Sequence, residues 1–94
     1  MSVKLPTVKA RSQIAKDSNT PLDTLAALAS DENKYVRCDV AKNINTPAEI
    51  LTLLSLDENK YVRAGVASNP STSAETLTIL SKDDDKSVRA GVAR

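Results

Sequence analysis

A period of 26 residues governs this sequence, and any fold for it must repeat at that step. Asn19–Ile44 laid over Asn45–Pro70 gives fifteen identities in 26 positions, and Asn45–Ser68 over Ser71–Arg94 gives fifteen in 24. Such agreement within one chain means internal duplication, and a period of roughly 20–50 residues means stacked supersecondary units. The copies read NTPLDTLAALASDENKYVRCDVAKNI, NTPAEILTLLSLDENKYVRAGVASNP and STSAETLTILSKDDDKSVRAGVAR. Upstream, Ala10–Lys16 falls in register with Val36–Lys42, so residues 1–18 read as the second half of a diverged unit, an N-terminal half-repeat cap. The organisation expected is a single repeat domain over 1–94, with repeats at 19–44, 45–70 and 71–94.

Each copy opens on a helix signal. Thr20-Pro21-Leu22-Asp23 and Thr46-Pro47-Ala48-Glu49 place threonine as the N-cap, proline at the first helical position and a carboxylate in the first turn; Thr72-Ser73-Ala74-Glu75 keeps the threonine and the acid. Leu25 with Leu28, Leu51 with Leu54 and Leu77 with Leu80 follow at helical spacing. The first helix of each unit is expected to run about ten residues, or about 15 Å. Asp31-Glu32-Asn33, Asp57-Glu58-Asn59 and Asp83-Asp84-Asp85 read as a turn and cap for a second helix. That helix is expected over 34–42, 60–68 and 86–94, with Val36 and Val40, Val62 and Val66, and Val88 and Val92 on its inner side. It is short, β-branched and carries Gly65 or Gly91, which predicts a short or partly 3₁₀ element. The fold class is therefore all-α, a short α-solenoid of about three helix-turn-helix repeats, with Leu25, Leu51, Leu54 and the four valines of the first two complete units as core.

From Val62 to Leu80 the chain reads VRAGVASNPSTSAETLTIL. This succession, Val-Arg-x-x-Val-Ala-x-Asn-Pro and then Thr/Ser-x-Glu with a Leu-x-x-Leu helix, resembles the leucine-rich repeat variant family, which lies close to HEAT-type repeats. The resemblance covers roughly residues 10–94. It implies strandless pairs of a helix and a short helix, stacked in a right-handed superhelix that serves as a scaffold, and it supplies no catalytic residue. Two features depart from that pattern. The unit is a couple of residues longer, in the turn at Asp31–Asn33, and the cysteine cluster of iron–sulfur members is missing. By the same likeness, Asp31, Arg37, Asp57, Arg63, Asp83 and Arg89 are expected to bond between successive units as a structural ladder.

Taking Val36 and Val40 as inward-facing, 100° per residue turns Lys34, Cys38 and Lys42 outward with Tyr35 beside them. The matching sets are Lys60, Tyr61, Ala64 and Ser68, then Lys86, Ser87, Ala90 and Arg94. Lys34, Tyr35, Lys42, Lys60, Tyr61 and Lys86 are accordingly the candidate partner-binding residues, set against the alternative of a solvated basic row balanced by acidic turns. Ala27, Leu53 and Ile79, widened by Ile50 and Leu56, give the first helices a second apolar side. That side is either packed in a tightly curved stack or a contact surface. Cys38 stands where Ala64 and Ala90 stand, and reads as a small filler. The run Asp83–Asp85 lacks the spaced ligands and glycine of a calcium loop.

Composition narrows the function. There is no histidine, no glycine-rich phosphate loop and no nucleophile with a base beside it, so the chain is read as not an enzyme, with no cofactor and no metal. Thirteen basic against twelve acidic residues leave a charge of +1, which gives no global pull to nucleic acid or membrane. One cysteine cannot form an internal disulfide, and a cytoplasmic location follows as the default. The expected role is a scaffold or interaction module for another protein. The competing roles are nucleic-acid binding through the lysines, which the near-equal number of acidic residues opposes, and a structural piece of a longer array. The third copy keeps its internal pattern to the last residue, so Leu77, Ile79 and Val92 are expected to leave an uncovered apolar end that a homo-oligomer, such as a dimer, would close.

Overall fold

The computed structural model describes residues 6–93; the part of the half-repeat cap before Pro6, and Arg94, lie outside the described residues. Seven helices follow in order: α1 Val8–Lys16, α2 Leu22–Leu28, α3 Lys34–Lys42, α4 Ala48–Leu54, α5 Lys60–Ser68, α6 Ala74–Leu80 and α7 Lys86–Val92. Among the described residues there is no strand, and no helix is long and apolar enough to cross a membrane. The body is elongated, 49 × 22 × 17 Å. The nine-residue helices α1, α3 and α5 and the seven-residue α7 pack side by side as one layer, the long-helix layer, and α2, α4 and α6 lie across its inner side, each touching the helices that flank it in sequence.

The relative lengths reverse the expectation. The second helix of a unit is the longer one, nine residues in α3 and α5 and α-helical throughout, whereas the first helix has seven. Tight i→i−3 bonding occurs instead at the exit of the first helix, where the amides of Leu56 and Asp57 bond the carbonyls of Leu53 and Leu54, as Ser30 and Asp31 do with Ala27 and Leu28. The helix-weakening glycines have a packing reason. A Cβ on Gly65 would stand 3.0 Å from Ala41 Cβ, and one on Gly91 would stand 2.9 Å from Ala67 Cβ, so these helices touch backbone to methyl.

The threonine of each entry motif also acts differently from its expected role. The N-caps are Pro21, Pro47 and Ser73, one residue later, and of these only Ser73 caps with its side chain, accepting from Thr76 N. Thr20, Thr46 and Thr72 donate backward, to the carbonyls of Ile14, Val40 and Val66, and close the turn behind the long helix. The Val40 and Val66 carbonyls, each already accepting the C-cap amide of Asn43 or Asn69, thereby take a second bond inside the fold from buried Thr46 and Thr72. The caps of the long helices match expectation: Asn33, Asn59 and Asp85 each accept from two amides of the following turn.

Leu25, Val36, Val40, Leu51, Leu54, Val62 and Val66 are all in the core, joined by Ala15, Ala41, Leu80 and Val88. The long helices' valines and the short helices' leucines meet between the layers. Small alanines at the seam let the long helices approach closely.

Candidate functional site

Along the edge formed by the Asp-x-Asn turns, arginines bind successive units together. Arg37 Nε lies 2.8 Å from Asp57 Oδ2 and its Nη2 3.3 Å from Oδ1, while Nη1 donates to the carbonyls of Asp31 and Glu32 in its own unit. Arg63 repeats this on Asp83 Oδ2 and Oδ1, at 2.8 and 3.2 Å, and on the carbonyls of Asp57 and Glu58. Each guanidinium is thus a two-sided clamp, with the fork on the next unit's carboxylate and the remaining nitrogen on its own turn. Asp57 and Asp83 in turn accept the amides of Asn59 and Asp85, which fixes the turn that presents them.

The electrostatics follow this geometry. The hydrogen bonds that Arg37 and Arg63 donate to Asp57 and Asp83 raise the pKa values of the two arginines. Asp83 is held below its ordinary value by Arg63 and by the Asp85 amide, against an opposing push from burial. For Asp31 burial pushes upward, and the Arg11 bond with the Asn33 amide outweighs it, leaving a net lowering.

An additional rung was legible only through the register of the half-repeat. Arg11 in α1 binds Asp31 at 2.7 and 3.3 Å. Arg89 donates to the Asp83 carbonyl, and no described carboxylate lies within 4 Å of it.

At the opposite edge stands a second set of ties that motif reading missed. Buried Asn43 donates to the carbonyls of Ala15 and Asp17, at 2.8 and 3.0 Å. Asn69 does the same to Ala41 and Asn43, at 2.8 and 2.9 Å. Their side-chain oxygens accept the amides of Asn45 and Ser71. The available signal was an asparagine at one position of two copies, 26 residues apart; in Asn43-Ile44-Asn45-Thr46-Pro47 and Asn69-Pro70-Ser71 it reads as turn chemistry alone. Both edges of the long-helix layer are therefore stitched from unit to unit.

The candidate binding residues lie on the outer side of that layer. Lys34, Tyr35, Lys60, Tyr61 and Lys86 are exposed in a row just behind the caps, the two rings at 65% and 60%. Lys34 Nζ sits 5.4 Å from the Tyr35 centroid and Lys60 Nζ 5.5 Å from that of Tyr61, within cation–π range. Lys60 also reaches Asp85 at 3.8 Å. Lys42 does not join this row. It is exposed at the far end of α3, about 12 Å along the helix from Lys34 at about 1.5 Å per residue.

Cys38, expected to point outward, is buried in the seam with α5, its thiol against the Tyr61 carbonyl at 3.6 Å. Burial pushes that thiol's pKa up, which leaves it a poor nucleophile. Shallow grooves of about 470 and 420 Å³ separate successive cap turns, lined in turn by Lys34 with Tyr35 and by Lys60 with Tyr61.

The short helices give the other exposed surface. Leu53 and Ile79 are 69% and 59% exposed, and Leu56 stands beside them, so the stack does not curve tightly enough to cover this side. Ile50 departs from that group and is buried. Of the apolar residues expected at the third copy's outer side, Ile79 is exposed and Leu77 and Val92 are half-buried.

Residues 62–85 match the family model described as Leucine rich repeat variant. No curated protein and no solved structure matches the chain. The matched stretch contains most of α5, the Asn69 tie, all of α6 and the acidic turn that receives Arg63, which together span 24 residues, nearly one period of the stack. Residues 62–85 are thus similar to a leucine rich repeat variant repeat, and they sit in a helical stack, without a strand among the described residues, in which the preceding copy has the same pair of helices and the same kind of ties.

Proposed function

We propose that this protein is a non-catalytic interaction scaffold that presents the outer side of its long-helix layer to another protein. The observation that carries this reading is the pair of exposed tyrosines, Tyr35 and Tyr61, each flanked by a lysine and repeated at the unit step. The stack does not need them, since its core is aliphatic and its edges are tied by other residues. Exposed aromatic side chains with cationic neighbours are favoured contact groups in protein interfaces. Catalysis is left out of the reading because the chain has no histidine, the arginines of α1, α3 and α5 are engaged in the ladder, and the one thiol is buried.

Polynucleotide binding is the competing reading, and the same row of lysines favours it. Against it, Glu32, Glu58 and Asp84 are exposed on the turns beside those lysines and oppose a phosphate backbone. Partner capture with three forms of the chain tests the proposal. Tyr35→Ala/Tyr61→Ala is expected to lose the partner while circular dichroism stays helical, and Leu53→Ser/Ile79→Ser is expected to retain it. The reverse pattern assigns binding to the short-helix side and overturns the reading. Tight, salt-sensitive binding of a polynucleotide would replace it with the competitor.

A further inference from the structure

The outer side of the long-helix layer differs from seam to seam, and one seam combines features the others lack. Between α3 and α5 lies a cavity of about 420 Å³ with Cys38 and Ala64 in its floor. Tyr61 stands on one side, Ile44 and Pro70 on the other, and Lys42 at the rim. Next to it, a cavity of about 380 Å³ opens toward α1 among Lys16, Asp39, Lys42 and Asn43. The carboxylate there, Asp39, accepts from Ser12. No described carboxylate comes within 4 Å of Lys16 or Lys42. Two ammonium groups without an acidic partner therefore adjoin a pocket with an apolar lining.

The repeat register shows what is special about this seam. One unit earlier, Ser18 stands in place of Ile44; one unit later, Ser68 replaces Lys42 and Ser87 replaces Tyr61. The aromatic wall, both members of the apolar wall and the lysine rim coincide only between α3 and α5; between α1 and α3 the apolar wall keeps one member, Ile44 in the place of Pro70.

We propose that this groove binds an extended acidic peptide segment lying along the stack, with one apolar side chain over Cys38 and Ala64 and one carboxylate against Lys42 and Lys16. This rests on the interaction-scaffold reading and specifies its partner. The spacing fits an extended chain. Packed helices lie about 8–10 Å apart, and an extended chain rises about 3.3 Å per residue, so neighbouring seams are about three residues apart. Charge complementarity decides the sign of the partner: Lys16 and Lys42 outweigh the one carboxylate of Asp39, which is already bonded by Ser12, so an acidic segment is attracted and a basic one repelled.

The test uses the full chain and a capped serine peptide carrying a central leucine with a glutamate about three residues to either side. Amide shifts are expected at Ile44, Lys42, Tyr61 and Ala64, accompanied by a change in tyrosine emission, which comes only from Tyr35 and Tyr61. Lys42→Glu, at an exposed position, is expected to weaken binding about tenfold or more. Ala64→Leu, which fills the floor, is expected to remove the preference for leucine over glycine at the centre of the peptide.

Equal or tighter binding of the matching lysine peptide overturns the acidic specificity and leaves the scaffold reading standing. Shifts confined to α4 and α6 overturn both. An oligothymidylate that binds more tightly at the same residues overturns the peptide assignment in favour of a polynucleotide. No shift at millimolar peptide overturns this inference, and the scaffold reading then rests on its own capture experiment.

Discussion

The long helices and the short helices of this stack answer to different constraints, and their sequences record it. Between α3 and α5 six of nine residues are identical; between α2 and α4 only two of seven are. A long helix packs against a long helix on each side and against the short helices beneath it, so its arginine, valines, alanine and glycine each meet a defined neighbour. A short helix covers the valines with two leucines and leaves much of its surface in water. Its remaining positions need only suit a helix. The residues that pass between units, such as the arginines and the valines, recur in every copy, and the divergence lies mainly in α2, since α4 and α6 still share five of seven residues.

Replacing Leu51 by Ala attacks one of the leucines through which the short helices close the core. Leu51 is fully buried, and the cavity is expected to cost about 2–5 kcal/mol in urea unfolding. A loss below about 1 kcal/mol would mean that the short helices are dispensable covers. Arg63→Ala tests the ladder edge. It removes the fork on Asp83 and the bonds to the Asp57 and Glu58 carbonyls, for an expected loss of about 1.5–3 kcal/mol.

The same edge predicts an acid limb. Asp31 and Asp83 have lowered pKa values, so the unfolded chain binds their protons more readily than the folded one. Their contribution is complete above the ordinary carboxylate value near 3.8 and is lost as the pH falls through the lowered folded values. Acid titration followed by circular dichroism is expected to show this loss in the parent and a shallower one in Arg63→Ala.

Asn69→Ala tests the opposite edge. With its amide gone, the Ala41 and Asn43 carbonyls lose a donor, for an expected loss of about 1–2 kcal/mol. Leu53→Ser completes the comparison as the smallest effect. The side chain is largely exposed, and the melting temperature is expected to change by the equivalent of less than about 0.5 kcal/mol. A large loss there would show that the short-helix surface is covered in solution.

How much of this was legible in the sequence depends on how far each interaction reaches. The all-α stack, the buried valines and leucines, and the Asn and Asp caps of the long helices were readable because a periodic apolar pattern or a local cap encodes them. The entry threonines were misplaced by one residue because Thr-Pro-x-acid admits two registers, and only the fold reveals that the Thr46 hydroxyl bonds backward to Val40. The length order of the helices was misread because the glycines were weighed as helix breakers; their role against Ala41 and Ala67 depends on a neighbour 24 residues away. Asn43 and Asn69 were missed for a similar reason, since their bonds span 26 and 28 residues. On the outer surface, residue types could be proposed, but Lys42 separates from Lys34 and Cys38 sinks into the seam only once the helices are placed.

The two-sided clamp has a consequence for how such a molecule changes its length. Every full unit offers its predecessor one carboxylate and one amide fork, and offers its successor one guanidinium and the carbonyls that the next fork requires. A copy spliced in after Ile44 would therefore find both of its edges complementary to what it displaces, and the number of unmatched polar groups in the array would stay the same. Growth by whole periods is energetically silent at the joints, whereas gain or loss of a fraction of a period would break every tie at the splice. The shape favours elongation in steps of 26 residues, and the three copies, which share more than half of their positions from one to the next, are the trace such stepping leaves.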